Sequence, residues 1–273
     1  MRLACLLLAA GAVLAACAPP PTPFPVDVPA APSATPAPGG PAAPAGVRYA
    51  LGASAAAAPI VDQARAQSLQ IEPLSGTPDP AQAGISYDIA ADYGLFAGAA
   101  AAPVTTHVAL VLNTALGPLD DPALADIVRG AIAPAAAAAV RGLPGAQPAA
   151  GSSAAPAAGL HARLANAGWP DGFNLAAAAA PVPGTETLLA PLRALGIELR
   201  PLQTAAVTED LWAANRLHLA LVVWHTPEAR QRWAALAGAD NVIDLYSVPV
   251  GYIAAPGLEL TFTPEGWPLP ANP

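Results

Sequence analysis

Apolar positions in this chain fall in short runs with two distinct periods. Residues 106–112 and 217–224 are nearly unbroken apolar runs, the mark of a buried strand. Residues 69–74 and 197–202 alternate apolar with polar, as a half-buried strand does. Residues 47–52, 86–90, 173–178 and 258–262 add shorter strands, and 242–254 holds one or two more. Between them lie stretches with helical spacing at 59–68, 121–139, 160–167, 185–195, 208–215 and 227–236, with a break predicted at Pro134. Capping chemistry marks several of these boundaries. Asp121 before Pro122 and Thr226 before Pro227 read as N-caps with proline at the first helical position, and Thr208 reads as a third N-cap. Gly196 closes the helix before it. Strands alternating with helices predict an α/β fold with mainly parallel pairing.

The amino terminus follows neither period. Arg2 precedes a charge-free apolar run from Leu3, and Leu14-Ala15-Ala16-Cys17 closes it with small residues and a cysteine. A charged start, a short apolar core and a small-residue site make a secretory signal. The run is shorter than the ~20 residues a spanning helix needs. Its ending resembles the lipobox of bacterial lipoproteins, which implies diacylglycerol on Cys17 and cleavage before it. Residues 18–46 follow with eleven prolines, a density that favours an extended, semi-rigid spacer. These features predict a folded part tethered at the outer face of a membrane.

Composition narrows the chemistry. Cys5 and Cys17 are the only cysteines; one leaves with the signal and the other becomes the anchor, so thiol catalysis and disulfides are excluded from the folded part. The chain has no lysine, 11 basic against 19 acidic residues, and a net charge of −8. That balance lacks the basic footprint of a nucleic-acid binder. Charged residues make up 11%, against about 25% in ordinary domains, and the apolar excess is largely alanine. The alanine runs at 99–102, 135–139 and 176–180 are far short of a membrane span.

Few residues carry candidate chemistry. Gly52-Ala53-Ser54-Ala55-Ala56 sits between a strand and a helix but lacks the last glycine of a nucleophile elbow. Ser54 therefore reads as an anion-binding turn or as a simple N-cap. His107, His161, His218 and His225 have no metal-ligand spacing, and no catalytic carboxylate pair or nucleotide loop is legible. Asn113, Trp224 and His225 stand at predicted strand ends, where clefts in α/β sheets open. There an amide, an aromatic face and an imidazole could orient a small polar solute, the alternatives being cleft-wall packing for Trp224 and a solvated loop for His225.

Four segments resemble the family 5 extracellular solute-binding proteins, the binding lipoproteins of peptide and nickel ABC transporters. Residues 162–173 (ARLANAGWPDGF) resemble that family's helix, Gly-aromatic-Pro-Asp-Gly turn and following strand. Residues 188–202 resemble its next helix and strand, 110–121 the strand entering the second lobe with its Pro-x-Asp-Asp helix start, and 258–267 its C-terminal strand and turn. The chain is about half the usual family length. After Trp224 it also lacks the long acidic segment that carries the ammonium-pairing aspartate of the peptide binders.

The resemblance implies a shortened type II periplasmic-binding-protein-like fold: two α/β lobes with a cleft, the first formed by 47–112 plus 243–273 and the second by 113–242. It implies a non-enzymatic, membrane-anchored protein that passes a small solute, peptide-like or otherwise, to an ABC permease. The alternative is a reduced envelope lipoprotein acting as a scaffold or interaction module. No cofactor or metal is expected, and the expected site residues are Cys17 for lipidation and Asn113, Trp224, His225 and Ser54 for ligand.

Overall fold

A computed structural model describes residues 46–55, 60–74, 76–150, 158–201 and 209–271. Contacts divide the chain into Met1–Ala43 and Pro44–Pro273, and every described residue belongs to the second unit. The predicted signal sequence, Cys17, nearly all of the proline-rich segment and the Thr208 cap lie outside the described residues.

The chain is a mixed α/β structure. Its elements are β1 (Arg48–Leu51), α1 (Ile60–Ala66), β2 (Gln70–Pro73), β3 (Ile89–Tyr93) and the long β4 (Ala100–Leu112). Then come α2 (Pro122–Ala139), β5 (Gln147–Pro148), α3 (Leu160–Asn166), β6 (Asn174–Ala179), α4 (Thr185–Ala194) and β7 (Glu198–Pro201). The last are α5 (Glu209–Ala213), β8 (Leu219–Trp224), α6 (Pro227–Ala237), the second long strand β9 (Val242–Ala254), β10 (Leu260–Phe262) and β11 (Pro268–Pro270). One sheet runs β2-β1-β3-β9-β4-β8-β6-β7, with β5 also pairing β9; β10 and β11 form a separate pair.

The two 13-residue strands β4 and β9 lie side by side and antiparallel at the centre. On one side β3, β1 and β2 are mutually parallel and β3 is antiparallel to β9. On the other, β8, β6 and β7 are mutually parallel and β8 is antiparallel to β4. The sheet therefore has two wings, each a strand-helix-strand unit followed by a strand that pairs with the centre.

Strand periodicity sorts the side chains. Tyr49, Leu51, Ile89, Leu110, Leu112, Leu175 and Leu221 share one large core with Ile60 of α1, Leu124 and Val128 of α2, Leu164 of α3 and Leu188 of α4. The intervening residues Ala109, Val111, Ala220 and Val222 pack instead with Trp212 of α5 and Trp233 of α6. Alternation of period two on the strands thus feeds two opposite cores.

Three expectations needed correction. Pairing is not mainly parallel: β4 and β9 are antiparallel to each other and to β8 and β3, because the two parallel wings join a central antiparallel pair. The helix at 121–139 is not broken at Pro134 but runs through it, because its buried stripe continues on both sides, from Leu124, Val128 and Ala131 to Ala135 and Ala139. By length and composition α2 could cross a membrane; here it packs against α4, α3 and β9. Of the one or two strands expected over 242–254 the structure has one, and a shift in register between Ala101 and Thr105 of β4 lies opposite the segment containing Pro249, which cannot donate to a ladder. β3 starts later than predicted, at Ile89, and runs to Tyr93. The Asp121 and Thr226 caps are present, accepting from the backbone N–H of Ala123 at 2.8 Å and of Ala229 at 3.4 Å.

Candidate functional site

Register places the carboxyl ends of both wings near each other. Tyr93 at the end of β3 pairs with Val250, while Trp224 at the end of β8 pairs with His107, which pairs with Ser247. The strand ends of the two wings therefore arrive within a few residues of each other along β9. Such a meeting of strand ends is where α/β sheets hold ligands.

One face of this junction is filled by the protein itself. Trp267, in the turn between β10 and β11, is 1% exposed and meets the Tyr93 ring edge-on at 5.0 Å. The turn is pinned by the Thr263 hydroxyl, which accepts from the N–H groups of Trp267 at 3.1 Å and Glu265 at 3.2 Å. Glu265 accepts from Gln63 of α1 at 3.4 Å. Burial, reinforced by the charges of Asp92 and Glu265, pushes the Tyr93 hydroxyl far above its usual range, so it stays protonated.

Open space lies beside this plug. A cavity of about 500 Å³ is walled by the residues that follow β3, including Leu95, Phe96 and Ala97, by Thr77, and by Leu143 and Pro144 after α2. The two loops are tied together: Leu95 N–H donates to the Pro144 carbonyl at 2.6 Å, and Gly94 N–H to that of Pro249 at 2.8 Å. Asp92 lines the same cavity and is 9% exposed. One of its carboxylate oxygens accepts from the Tyr93 N–H at 2.8 Å, and Gly52 is needed beside it, since a Cβ there would collide with the carboxyl group. No sequence expectation included Asp92. The available signal was a lone acid inside the apolar run Ile89-Ala90-Ala91-Asp92-Tyr93.

The residues singled out from sequence are scattered. His225 is at the junction, half-buried, with Nε2 3.2 Å from the hydroxyl of fully buried Thr106 on β4. Burial holds its imidazole below the ordinary histidine range; Glu265 opposes that shift and His107 adds to it. Trp224 is 4% exposed and belongs to the packing core with Trp212 and Trp233, and the Arg230 guanidinium lies 5.9 Å above its ring. This is the packing alternative rather than an open stacking face.

Asn113 is not with them. The ladder pairs Leu112 with Leu219 and His107 with Trp224, so Asn113, six residues from His107, lies at the far end of β8, about 20 Å away at ~3.4 Å per residue. There its amide donates to the Leu217 carbonyl at 3.1 Å and to Asn215 at 3.4 Å and accepts from Ala115 N–H at 3.2 Å. Its hydrogen bonds tie a turn together, which is why an apolar strand ends on a polar amide at that point. Ser54 lies in a 3-10 turn, Ala53–Ala55, between β1 and α1. Cys17 is outside the described residues.

A second, larger groove of about 880 Å³ runs between α2 and α4, with Arg141 and His161 at its walls, away from the strand ends. Among the described residues no three His, Cys, Asp or Glu side chains are grouped to hold a metal ion.

No protein-family model matches the chain, and no curated protein matches it. Solved structures do. HbpA2 from Haemophilus parasuis matches at 14% identity and TM-score 0.41, covering 78% of this chain and 55% of that one. The dipeptide binding protein from Pseudoalteromonas sp. SM9913, in complex with Met-Leu, matches at 14% and 0.43, covering 76% and 54%. NikA from Brucella suis, in complex with Fe(III)-EDTA, matches at 16% and 0.41, covering 71% and 60%. The chain thus spans little more than half the length of these proteins, and likeness this loose transfers no residue role, ligand or activity to it.

Proposed function

We propose that this chain is an extracytoplasmic solute-binding protein without catalytic activity, holding a small solute where its two wings meet and presenting it to an ABC permease. The observation that carries the reading is the convergence of both sets of strand ends on the middle of β4 and β9, beside a cavity of about 500 Å³. That volume lies within the ~300–1,000 Å³ range of small-molecule sites. In this reading the wings are two lobes, 47–112 plus 243–273 and 113–242, and solute draws them together by a hinge motion. The lipobox resemblance at Leu14–Cys17 supports a lipid anchor on the outer face of the membrane, and Cys17→Ala is expected to release the protein from it.

The test is a screen of peptides, sugars, amines and metal chelates by melting temperature and by the distance between labels on the wings. The labels go on Glu72→Cys of β2 and Glu198→Cys of β7, both exposed, with Cys5 and Cys17 replaced by serine. A true solute at 100 times its dissociation constant adds about 2.7 kcal/mol of stability. It is expected to shorten the inter-label distance as well. If no compound moves either quantity, the solute-binding reading is wrong and the scaffold alternative takes its place.

A further inference from the structure

We infer that the groove between α2 and α4 is a second ligand site, one that takes a single-chain fatty acid with its carboxylate at Arg141. The groove lies away from the strand ends, so this assignment does not rest on the solute-binding reading. Its walls are small or apolar: Ala131, Pro134 and Ala138 on α2, Ala190 and Pro191 on α4, and Leu160 at the start of α3. Alanine side chains reach too little from the helices to fill the space between them, and about 880 Å³ stays open. That volume lies within the ~300–1,000 Å³ of small-molecule sites. From Gly130 to Ala138 the α2 wall rises about 12 Å at ~1.5 Å per residue, long enough to lie along an extended alkyl chain.

The two ends of the groove differ. Gly184, just before α4, stands so close to the end of α2 that a Cβ on it would come within 2.7 Å of the Ala139 Cβ. α4 thus begins beside the end of α2, which brings the exposed Arg141 to the end where α4 makes its first turn, with Thr187. At the last turn of α4, His161 donates from Nε2 to the Ala194 carbonyl at 3.1 Å, so that end is bonded within the protein. Among the described residues Arg141 has no ion pair, whereas Arg129 and Arg193 of the same two helices are held by Asp126 and Glu186. No Asp or Glu stands among the described wall residues. A guanidinium at one end of an apolar groove is complementary to a carboxylate, which it can hold through two parallel hydrogen bonds, with an alkyl tail lying along the helices.

The experiment uses the full chain in amphipol, so that no free detergent competes, and reads affinity by calorimetry at pH 7 for decanoate, decanol, decylamine and hexanoate. Decanoate is expected to bind at least tenfold more tightly than decanol, with decylamine weaker still. Non-specific adsorption to a chain of net charge −8 gives the reverse order of acid and amine. Each buried methylene is worth about a factor of four, so hexanoate is expected to bind at least tenfold more weakly than decanoate. Arg141→Gln, at an exposed position, is expected to erase the preference for decanoate over decanol. Ala190→Trp, filling the groove from an exposed position of α4, is expected to weaken decanoate at least tenfold. Equal binding of decanoate and decanol, a preference for decanoate that survives Arg141→Gln, or decanoate binding unchanged in Ala190→Trp overturns the assignment. So does the absence of any decanoate binding.

Discussion

In the first wing the chain runs from β1 through α1 to edge strand β2 and returns as β3 beside the centre. In the second it runs from β6 through α4 to edge strand β7 and returns as β8. The edge strands even share composition and pattern: Gln-Ile-Glu-Pro in β2 and Glu-Leu-Arg-Pro in β7, each with only its second residue half-buried. What differs is the cover. The outer face of the second wing carries α5 and α6, whose Trp212 and Trp233 meet edge-on at 5.8 Å over Val222 and Trp224. Among the described residues, the outer face of the first wing carries only a small cluster of Ala50, Tyr87 and Ala90, closed by loop residues Leu74 and Ala83. Large aromatic side chains remove about 150–250 Å² each from water, so similar topology is expected to yield unequal stability. A well-braced wing and a lightly covered one are also what a hinged binder would use, the second serving as platform and the first as the part that moves.

The largest expected effect follows from this inequality. Trp233→Ala empties the centre of the α5–α6 layer and should cost about 3–5 kcal/mol by urea unfolding. Tyr87→Ala, on the same face of the other wing, removes a ring from a three-residue cluster and should cost about 1–2 kcal/mol. Equal losses would show that the thin cover of the first wing is as strong as two helices, and the comparison would fail.

Much of this architecture is legible in the sequence because it is locally encoded. The strands at 106–112 and 217–224 announce themselves as apolar runs, the α2 and α6 starts as Asp-Pro and Thr-Pro caps, and the 185–194 helix by its stop at Gly196. The first residues of β4 were not legible: Ala100-Ala101-Ala102-Pro103 has no alternation and is held by pairing with Tyr252 and Gly251, far away in sequence. The site was less legible still. Asp92 and Phe96 share a cavity wall with Leu143 only because β3 and β5 both pair with β9, and no local period reports on that. Trp224 and Asn113 looked alike as strand-end residues, yet antiparallel pairing of β4 with β8 sends them to opposite ends.

The turns before the two edge strands sharpen the comparison at a smaller scale. Both helices end in a left-handed residue: Gly196 at φ 76° before β7 and Ser68 at φ 59° before β2. At Gly196 a Cβ would also stand 2.8 Å from the Asp171 carbonyl oxygen. Gly196→Ala should therefore cost more than the ~1–2 kcal/mol of the left-handed conformation alone. Ser68→Gly removes that conformational penalty but adds unfolded-chain entropy worth ~0.5–1 kcal/mol, leaving a gain of up to about 1.5 kcal/mol. Thermal melts of both variants measure the pair. A destabilised Ser68→Gly would mean that the serine side chain compensates for its backbone.

The smallest expected effect concerns the residue after each inner strand, Gly94 following β3 and His225 following β8. Only the second titrates. Burial lowers the folded pKa of His225 below the ordinary histidine value of 6.5, with Glu265 opposing and His107 assisting. The unfolded chain then binds more protons than the folded one as pH falls through that range. The sign follows directly: the contribution of His225 is fully present above about pH 6.5 and is lost as pH drops toward the folded pKa. Protonation also changes the hydrogen bond with Thr106, since Nε2 can then only donate to the hydroxyl oxygen. His225→Gln keeps a polar partner for Thr106 but cannot titrate. Melting temperatures of the two proteins should run parallel above pH 7 and diverge below 6.5, with wild type falling faster. Since Glu265 comes from the C-terminal turn and His225 from the second wing, Glu265→Gln should steepen the acid loss by removing a charge that favours protonated His225. Parallel curves down to pH 5 in all three proteins would show that the imidazole is open to water and that the junction does not bury it.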